Sequence, residues 1–298
     1  MTALLDAPPD PILARRAEIR QIAAASVKRR RVSSAITLGV CQAFLVIALV
    51  PLVAVIAYVV AKGLPAWNSA FFTETTATDG VKNAIIGTVV IGAIATVVAI
   101  PFGLAAGLFL AESDGRVAGT VRFVADVMTG VPSITIGIFG YIAIVSTTKQ
   151  YSGFAGAFAI GMIMLPVIMR AGETAFRGVP PTLNEAGLAL GARKATIARR
   201  VVLPSALPGI ITGVLLAVAR GLGETAPLLL TILGSDFVHW NPTKPMNALP
   251  LVIYNNTNQP DPSVVQIAWG AALLLMAVVL VLNIGSRVTA AVLQKEKR

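Results

Sequence analysis

The chain has 298 residues, of which 56% are hydrophobic and only 13% are charged, and its mean hydropathy is +0.79. A soluble domain carries about 25% charged residues, so this composition excludes a soluble globular protein and indicates several membrane crossings. The single cysteine, Cys41, excludes an internal disulfide, and the net charge of +10 has to be explained by its distribution along the chain.

Six apolar runs are each long enough to cross about 30 Å of hydrocarbon at about 1.5 Å per residue. They cover residues 36–61, 84–111, 123–145, 153–170, 207–233 and 264–284. Because the runs are continuous rather than alternating, they predict helices and not the strands of a barrel. Glycine and alanine crowd the second run, which indicates close helix packing, while Pro101 and Pro132 predict kinks or breaks. The sequence therefore predicts an all-α membrane protein with six transmembrane helices, preceded by a polar tail at residues 1–35.

Basic residues are unevenly distributed among the connections between these runs. Nineteen of the 24 Lys and Arg residues lie in the two tails and in the connections 112–122 and 170–206, and four lie in the alternate connections. The positive-inside rule then places both termini in the cytoplasm. The charge is explained by topology, so a nucleic-acid partner for the basic stretch at residues 15–31 is disfavoured.

The connection between the fourth and fifth runs, roughly 171–206, has a pattern of its own. Pro180 and Pro181 end the preceding element, and Thr182 or Asn184 can cap a new helix. Apolar residues then recur at helical spacing, at Leu183, Ala186, Leu190, Ile197 and Val201. We predict a short amphipathic helix that ends at Leu203-Pro204. Periodicity alone leaves open whether this helix lies on the membrane surface or docks on a partner.

The spacing within this connection resembles the EAA loop of ABC importer permeases, E-A-A-x3-G-x9-I-x-L-P. The matching residues are Glu185, Ala186, Gly187, Gly191, Val201, Leu203 and Pro204, where glycine replaces the second alanine and valine replaces isoleucine. The resemblance implies a coupling segment at 180–205 that docks on an ATPase subunit, and its glycines would let another backbone approach closely. The chain has no G-x4-G-K-[ST] motif, so ATP and Mg²⁺ are expected on that separate subunit and no cofactor on this chain.

The fifth run contains two opposite charges, Arg220 and Glu224. Arg220 lies about 13 residues into the run, roughly 20 Å along a helix and near mid-bilayer, where an arginine costs about 2.5–3.5 kcal/mol. At i and i+4 the two side chains can pair, with an attraction of about 4 kcal/mol at 4 Å, which does not clearly offset burying both. A pair that only holds helices together stays open, but a site that meets an ion is favoured. The guanidinium fork suits an oxyanion, and Glu224 could accept a hydrogen bond from protonated phosphate, which sulfate cannot offer.

The stretch ARGLGETAPLLLT at 219–231, with LPLVIYN at 249–255, resembles the PstA-type permeases of phosphate ABC importers, and the likeness covers roughly 80–290. It implies a type I ABC importer permease fold in the bacterial inner membrane, with a first helix at 36–62 and a core of five helices within 80–290. It implies a substrate pathway at Arg220, Glu224 and Thr225. Arg170, which ends the fourth run, is either a snorkelling residue or, as the resemblance implies, part of that pathway.

The resemblance also implies a set of partners. They are a PstC-like second permease that completes a heterodimer, two copies of a PstB-like ATPase, a PstS-like phosphate-binding protein, inorganic phosphate and the lipid bilayer. Other oxyanions, namely sulfate, molybdate or phosphonate, remain alternatives. An ion-coupled secondary transporter or a channel is a further alternative, which leaves the Glu185–Pro204 spacing unexplained. No clustered carboxylates, histidines or thiols predict an enzyme, so no catalytic residue and no metal site are expected.

Overall fold

The computed structural model of the protein describes residues 11–295, with side chains described throughout 33–292. Its helices are α1 Pro11–Gly63, α2 Ser69–Thr73, α3 Lys82–Glu112, α4 Arg116–Gly130, α5 Ser133–Gly140, α6 Ser146–Thr148, α7 Gly153–Arg177, α8 Pro181–Ala189, α9 Lys194–Ile197, α10 Leu203–Leu222, α11 Ala226–Thr231, α12 Leu249–Asn256 and α13 Pro262–Lys295. Within the described part of the chain, five helical stretches are long and apolar enough to cross a membrane, or six if α4 to α6 count as one broken span.

The residues up to Tyr58 form one compact unit and those from Val59 onward form a second. In the first unit, α1 begins at Pro11, well before the predicted span at 36–62, so most of the predicted tail is helical. Residues 1–10 of that tail lie outside the described residues. From Ile36 to Val55 the large apolar side chains are exposed, which is the pattern of a helix whose surroundings are lipid or another subunit.

The second unit is built around three long helices, α3, α7 and α10. Helices α3 and α7 run parallel, because Gly103 lies against Ile168 and Gly107 lies against Met169 and Gly172. A Cβ placed on Gly107 would lie 2.8 Å from the carbonyl oxygen of Met169, so only glycine allows this approach. The close packing predicted from the glycine-rich second run is confirmed. We call the end of the unit where α3 and α7 finish, and where α8 lies, the coupling end.

Two of the predicted spans are broken rather than continuous. Between α4 and α5 the chain turns by 102° at Val131-Pro132. The break follows from Pro132, which disfavours helical geometry at the residue before it and removes a backbone donor. Pro101, by contrast, lies inside α3 without ending it.

The fifth predicted span, 207–233, is corrected at both ends. The helix starts at Lys194, passes through α9 into α10, and stops at Leu222. Gly223 caps α10, with its amide donating to the carbonyl of Arg220 at 3.1 Å, and α11 begins only at Ala226. Glycine is a poor helix former, so a stretch with two glycines close together is where the helix ends.

The coupling segment is two helices rather than the single amphipathic helix predicted. Helix α8 ends in a Schellman motif, in which the amide of Ala192 donates to Gly187 at 3.1 Å and that of Gly191 donates to Leu188 at 2.9 Å. Gly191 takes a φ of +73°, the left-handed geometry that this motif requires. The prediction that the element ends at Leu203-Pro204 was wrong. Pro204 instead lies inside the continuous helical stretch from Lys194 to Leu222, just after the π-helical turn at residues 198–202.

Candidate anion site

The predicted pair of charges lies at the helix break. Arg220 is in the last turn of α10, and Glu224 follows the cap residue Gly223. Nε of Arg220 lies 3.8 Å from Oε1 of Glu224, an ion pair that is too long for a hydrogen bond. The Arg220 side chain is 50% exposed and the Glu224 side chain 20%. The two charges therefore pair as predicted, but the single continuous helix expected to carry them was wrong, because α10 stops between them.

Arg220 and Glu224 line a small cavity of about 110 Å³. The other walls come from α7, from the last turn of α4 and from the start of α5. These lining residues are Met128, Thr129, Val131, Ser133, Ile136, Ile163, Pro166 and Val167. Both broken spans therefore meet at this cavity, and the break at Val131-Pro132 brings Ser133 to its wall.

The charges around the cavity favour an anion. Among the side chains that the structure describes, Glu224 is the one ion-pair partner of Arg220, and its distance leaves the donors of the guanidinium available. Helix α5 begins at Ser133, so the partial positive charge of its N-terminus also faces this region. A planar group with five donors can hold two oxygens of one tetrahedral anion.

The two other predicted pathway residues are outside the cavity wall. The carbonyl of Thr225 accepts from the amides of Leu228 and Leu229, both at 3.1 Å, so this residue opens α11. Arg170 lies almost one helical turn after Val167 on α7, nearer to the coupling end. There it contacts two carboxylates. Nη1 lies 3.0 Å from Oε2 of Glu173, and Nη2 donates to Asp126.

Arg170 belongs to an ion-pair cluster that the sequence did not predict. The cluster joins the end of α3, α4 and α7, and consists of Asp114, Arg122, Asp126, Arg170, Glu173 and Arg177. Glu173 is its buried member, with its side chain 8% exposed. The i, i+3 spacing of Arg170 and Glu173 was visible in the sequence. The partners on α4 were not, because pairing them requires the placement of α4 beside α7.

The residues matched to the coupling loop lie at the coupling end. Glu185 and Ala186 are exposed on α8, and Leu203 and Pro204 are exposed at the start of α10. Gly187 was predicted to let a partner's backbone approach closely. The space beside it is instead filled by Ile197 of this chain, because a Cβ on Gly187 would lie 2.8 Å from Ile197 Cγ1. Gly187 thereby packs α8 against α9, and Gly191 turns the chain between them.

Several apolar helices, two broken spans that meet at a cavity lined by an arginine and a glutamate, and an exposed helical hairpin formed by α8 and α9 define a polytopic membrane permease subunit. Residues 99–298 match the family model described as "Binding-protein-dependent transport system inner membrane component". The chain belongs to this family and is an integral membrane protein.

Comparisons with individual proteins agree with this assignment. The chain is 38% identical to the "Phosphate transport system permease protein PstA" of Haemophilus influenzae over 87% of this chain and 94% of that protein. It is 36% identical to "Phosphate transport system permease protein PstA 1" of Mycobacterium tuberculosis strain H37Rv, over 91% of each.

Two solved transporters share the fold. A chain of the MetNI methionine ABC transporter, in inward-facing conformations, aligns with a TM-score of 0.56 and 20% identity over 72% of this chain and 94% of that one. A chain of a bacterial ABC transporter that imports the acidic polysaccharide alginate aligns with a TM-score of 0.54 and 14% identity over 89% and 98%. At these identities the likeness concerns the fold alone, which is that of type I ABC importer permeases.

Proposed function

We propose that this chain is the permease subunit of an ATP-driven phosphate importer and forms half of its translocation pathway. The observation that carries the proposal is Arg220, a half-exposed guanidinium with unused donors on a cavity where two broken spans meet. The curated relatives named as phosphate transport permeases support the choice of phosphate.

The chemistry of the cavity suits a protonated phosphate. Arg220 offers paired donors to two oxygens, and Glu224 offers an acceptor to the phosphate hydroxyl. In the absence of phosphate the carboxylate neutralises the arginine, so the site carries no net charge while it is empty. Thr225 and Arg170 complete the pathway in this proposal, with Arg170 as the next cation towards the coupling end.

Coupling to ATP hydrolysis is assigned to α8 and the turn that follows it. Leu190 is 88% exposed at the end of α8, and exposed Glu185 lies near it in sequence. An exposed leucine beside charges is the composition of a docking surface for another protein. We infer that two PstB-like ATPase subunits, which bind ATP and Mg²⁺, act on the importer, with one of them receiving this hairpin.

The remaining partners follow from the same proposal. A PstC-like permease would supply the other wall of the pathway, and a PstS-like binding protein would deliver phosphate at the end opposite to the coupling end. The connections 112–122 and 170–206 hold eight basic residues against four in the alternate connections, so we infer that the coupling end faces the cytoplasm, as do both basic termini.

Uptake by the assembled transporter tests this function. Proteoliposomes that contain both permeases, the ATPase and the binding protein should accumulate labelled phosphate only when ATP is supplied to the ATPase. Unlabelled phosphate should compete, and sulfate, molybdate and phosphonates should compete weakly. Stronger competition by one of these anions would assign the site to that anion, and uptake by this chain alone would indicate a secondary transporter or a channel.

A further inference from the structure

Helices α4 and α7 lead from the cavity to the ion-pair cluster. Thr129 on α4 and Val167 on α7 line the cavity. Three residues further along each helix in the direction of the coupling end are Asp126 and Arg170, and three residues is about 4.5 Å of helix. The Asp126–Arg170 pair is therefore the first pair of charges beyond the cavity on this route.

The two carboxylates that contact Arg170 differ in how firmly they are held. Glu173 is buried, accepts from Arg122 at 2.7 Å and pairs with Arg177 at 3.5 Å, so three arginines hold it in place. The Asp126 side chain is 66% exposed, and Arg170 is its one ion-pair partner among the side chains that the structure describes. Glu173 is the fixed counter-ion of Arg170, and Asp126 is the one that can move away.

We propose that Asp126 is a displaceable counter-ion that competes with the transported anion for Arg170. The inference rests on the proposed function and assigns a role to a residue on α4 that does not line the cavity. When Asp126 is paired, Nη2 of Arg170 donates to Asp126 and to the carbonyl of Arg122 at 3.3 Å, while Nη1 donates to Glu173. Both terminal nitrogens of Arg170 are then engaged, and it does not bind the anion. An anion that leaves the cavity replaces the Asp126 carboxylate on Arg170, and the returning carboxylate then releases the anion.

The strength of the pair fits this role. Exposed ion pairs contribute about 0.2–1 kcal/mol, so displacement of Asp126 is not a large barrier. An unopposed arginine would hold a divalent oxyanion more tightly and would slow its exit. Each binding site on a transport pathway must bind the anion weakly enough to release it, and the competing carboxylate lowers the affinity of Arg170 for the anion.

The test is equilibrium binding of labelled inorganic phosphate to the complete complex of both permeases and the ATPase in nanodiscs, without nucleotide and without the binding protein. Asp126→Asn keeps the shape of the side chain and removes its charge. We expect the phosphate affinity of this variant to rise by up to about fivefold, because the competing carboxylate, worth up to about 1 kcal/mol, is gone. The double variant Asp126→Asn/Arg170→Gln should lose the gain.

Asp114→Asn is the matched control, because it neutralises a more exposed carboxylate of the same cluster that pairs with Arg122 and Arg177 instead. Its phosphate affinity should stay at the wild-type value. Asp126→Ser provides a second variant without the charge and should behave like Asp126→Asn.

The inference is overturned if both Asp126 variants bind phosphate no more tightly than wild type, or if the gain survives Arg170→Gln. Failure of the proposed function would be seen separately, as a wild-type complex that does not take up phosphate or whose uptake is indifferent to Arg220.

Discussion

The carboxylate of Glu173 accepts a hydrogen bond from Nε of Arg122 at 2.7 Å, and this contact ties α7 to α4. The same guanidinium donates through Nη2 to the carbonyl of Leu110 at 2.6 Å, in the last turn of α3. A cation suits that position because the C-terminal end of a helix carries partial negative charge. Three helices that shape the route from the cavity to the coupling end are thus held together through one buried carboxylate.

Replacing Glu173 by glutamine should destabilise the second unit. The change leaves Arg122, Arg170 and Arg177 without their shared charge, and removing one partner of a buried ion pair costs about 3–5 kcal/mol. We expect the lower end of that range, because the arginines are partly exposed. The measurement is the thermal unfolding midpoint of the purified transporter in detergent. The control is Glu112→Gln, at an exposed position at the end of α3, and an equal loss in both variants would contradict the role given to Glu173.

The contact between Gly213 on α10 and Ala171 on α7 predicts that one substitution destabilises the fold and that a second, compensating substitution restores its stability. A Cβ on Gly213 would lie 2.1 Å from the Ala171 side chain, so Gly213→Ala should force the helices apart and destabilise the fold by about 1–3 kcal/mol. Adding Ala171→Gly moves the methyl group to the other helix and should restore most of the loss. The midpoint of thermal unfolding measures both effects. Gly285→Ala, where no atom lies within 4 Å of the added Cβ, should have little effect.

The turn at Gly191 predicts how the coupling hairpin responds to an added side chain. A Cβ there meets no atom within 4 Å, so Gly191→Ala acts through the positive φ alone, at a cost of about 1 kcal/mol. Trypsin cleavage after Arg193, which follows the turn, should then be about fivefold faster, because opening of the turn is that much more populated. Gly191→Asn should be less affected, since asparagine tolerates this geometry better. Unchanged cleavage in the alanine variant would mean that the Schellman motif does not hold the hairpin.

Hydropathy was sufficient to predict which parts of the chain form the apolar membrane helices, because a span needs a continuous apolar run, but not where each helix begins, breaks and ends. It could not place the break between α10 and α11. Gly221 and Gly223 are visible in the sequence, but the apolar residues on both sides predict one helix. Gly221 lies within the helix and packs closely against Ile160 and Met164, whereas Gly223 caps the helix end.

The ion-pair cluster could not be predicted from the sequence, for a different reason. Asp114 and Arg122 lie about fifty or more residues from their partners on α7, so their pairing depends on how α4 packs and not on any local spacing. The coupling segment was predicted in part. The family spacing located the segment correctly, yet Gly187 packs against Ile197 of the same chain, a contact that the spacing does not encode.

The most direct test of the central claim is the initial rate of ATP-driven phosphate uptake by the complete transporter that carries Arg220→Lys. Lysine keeps the charge but lacks the planar fork that holds two oxygens, so we expect uptake to fall at least about tenfold while the amount of assembled complex stays normal. Arg116→Lys, the same exchange at an exposed position on α4, should leave uptake unchanged. Wild-type uptake by the Arg220→Lys transporter, at normal levels of complex, would contradict the assignment of Arg220 as the residue that binds the passing anion.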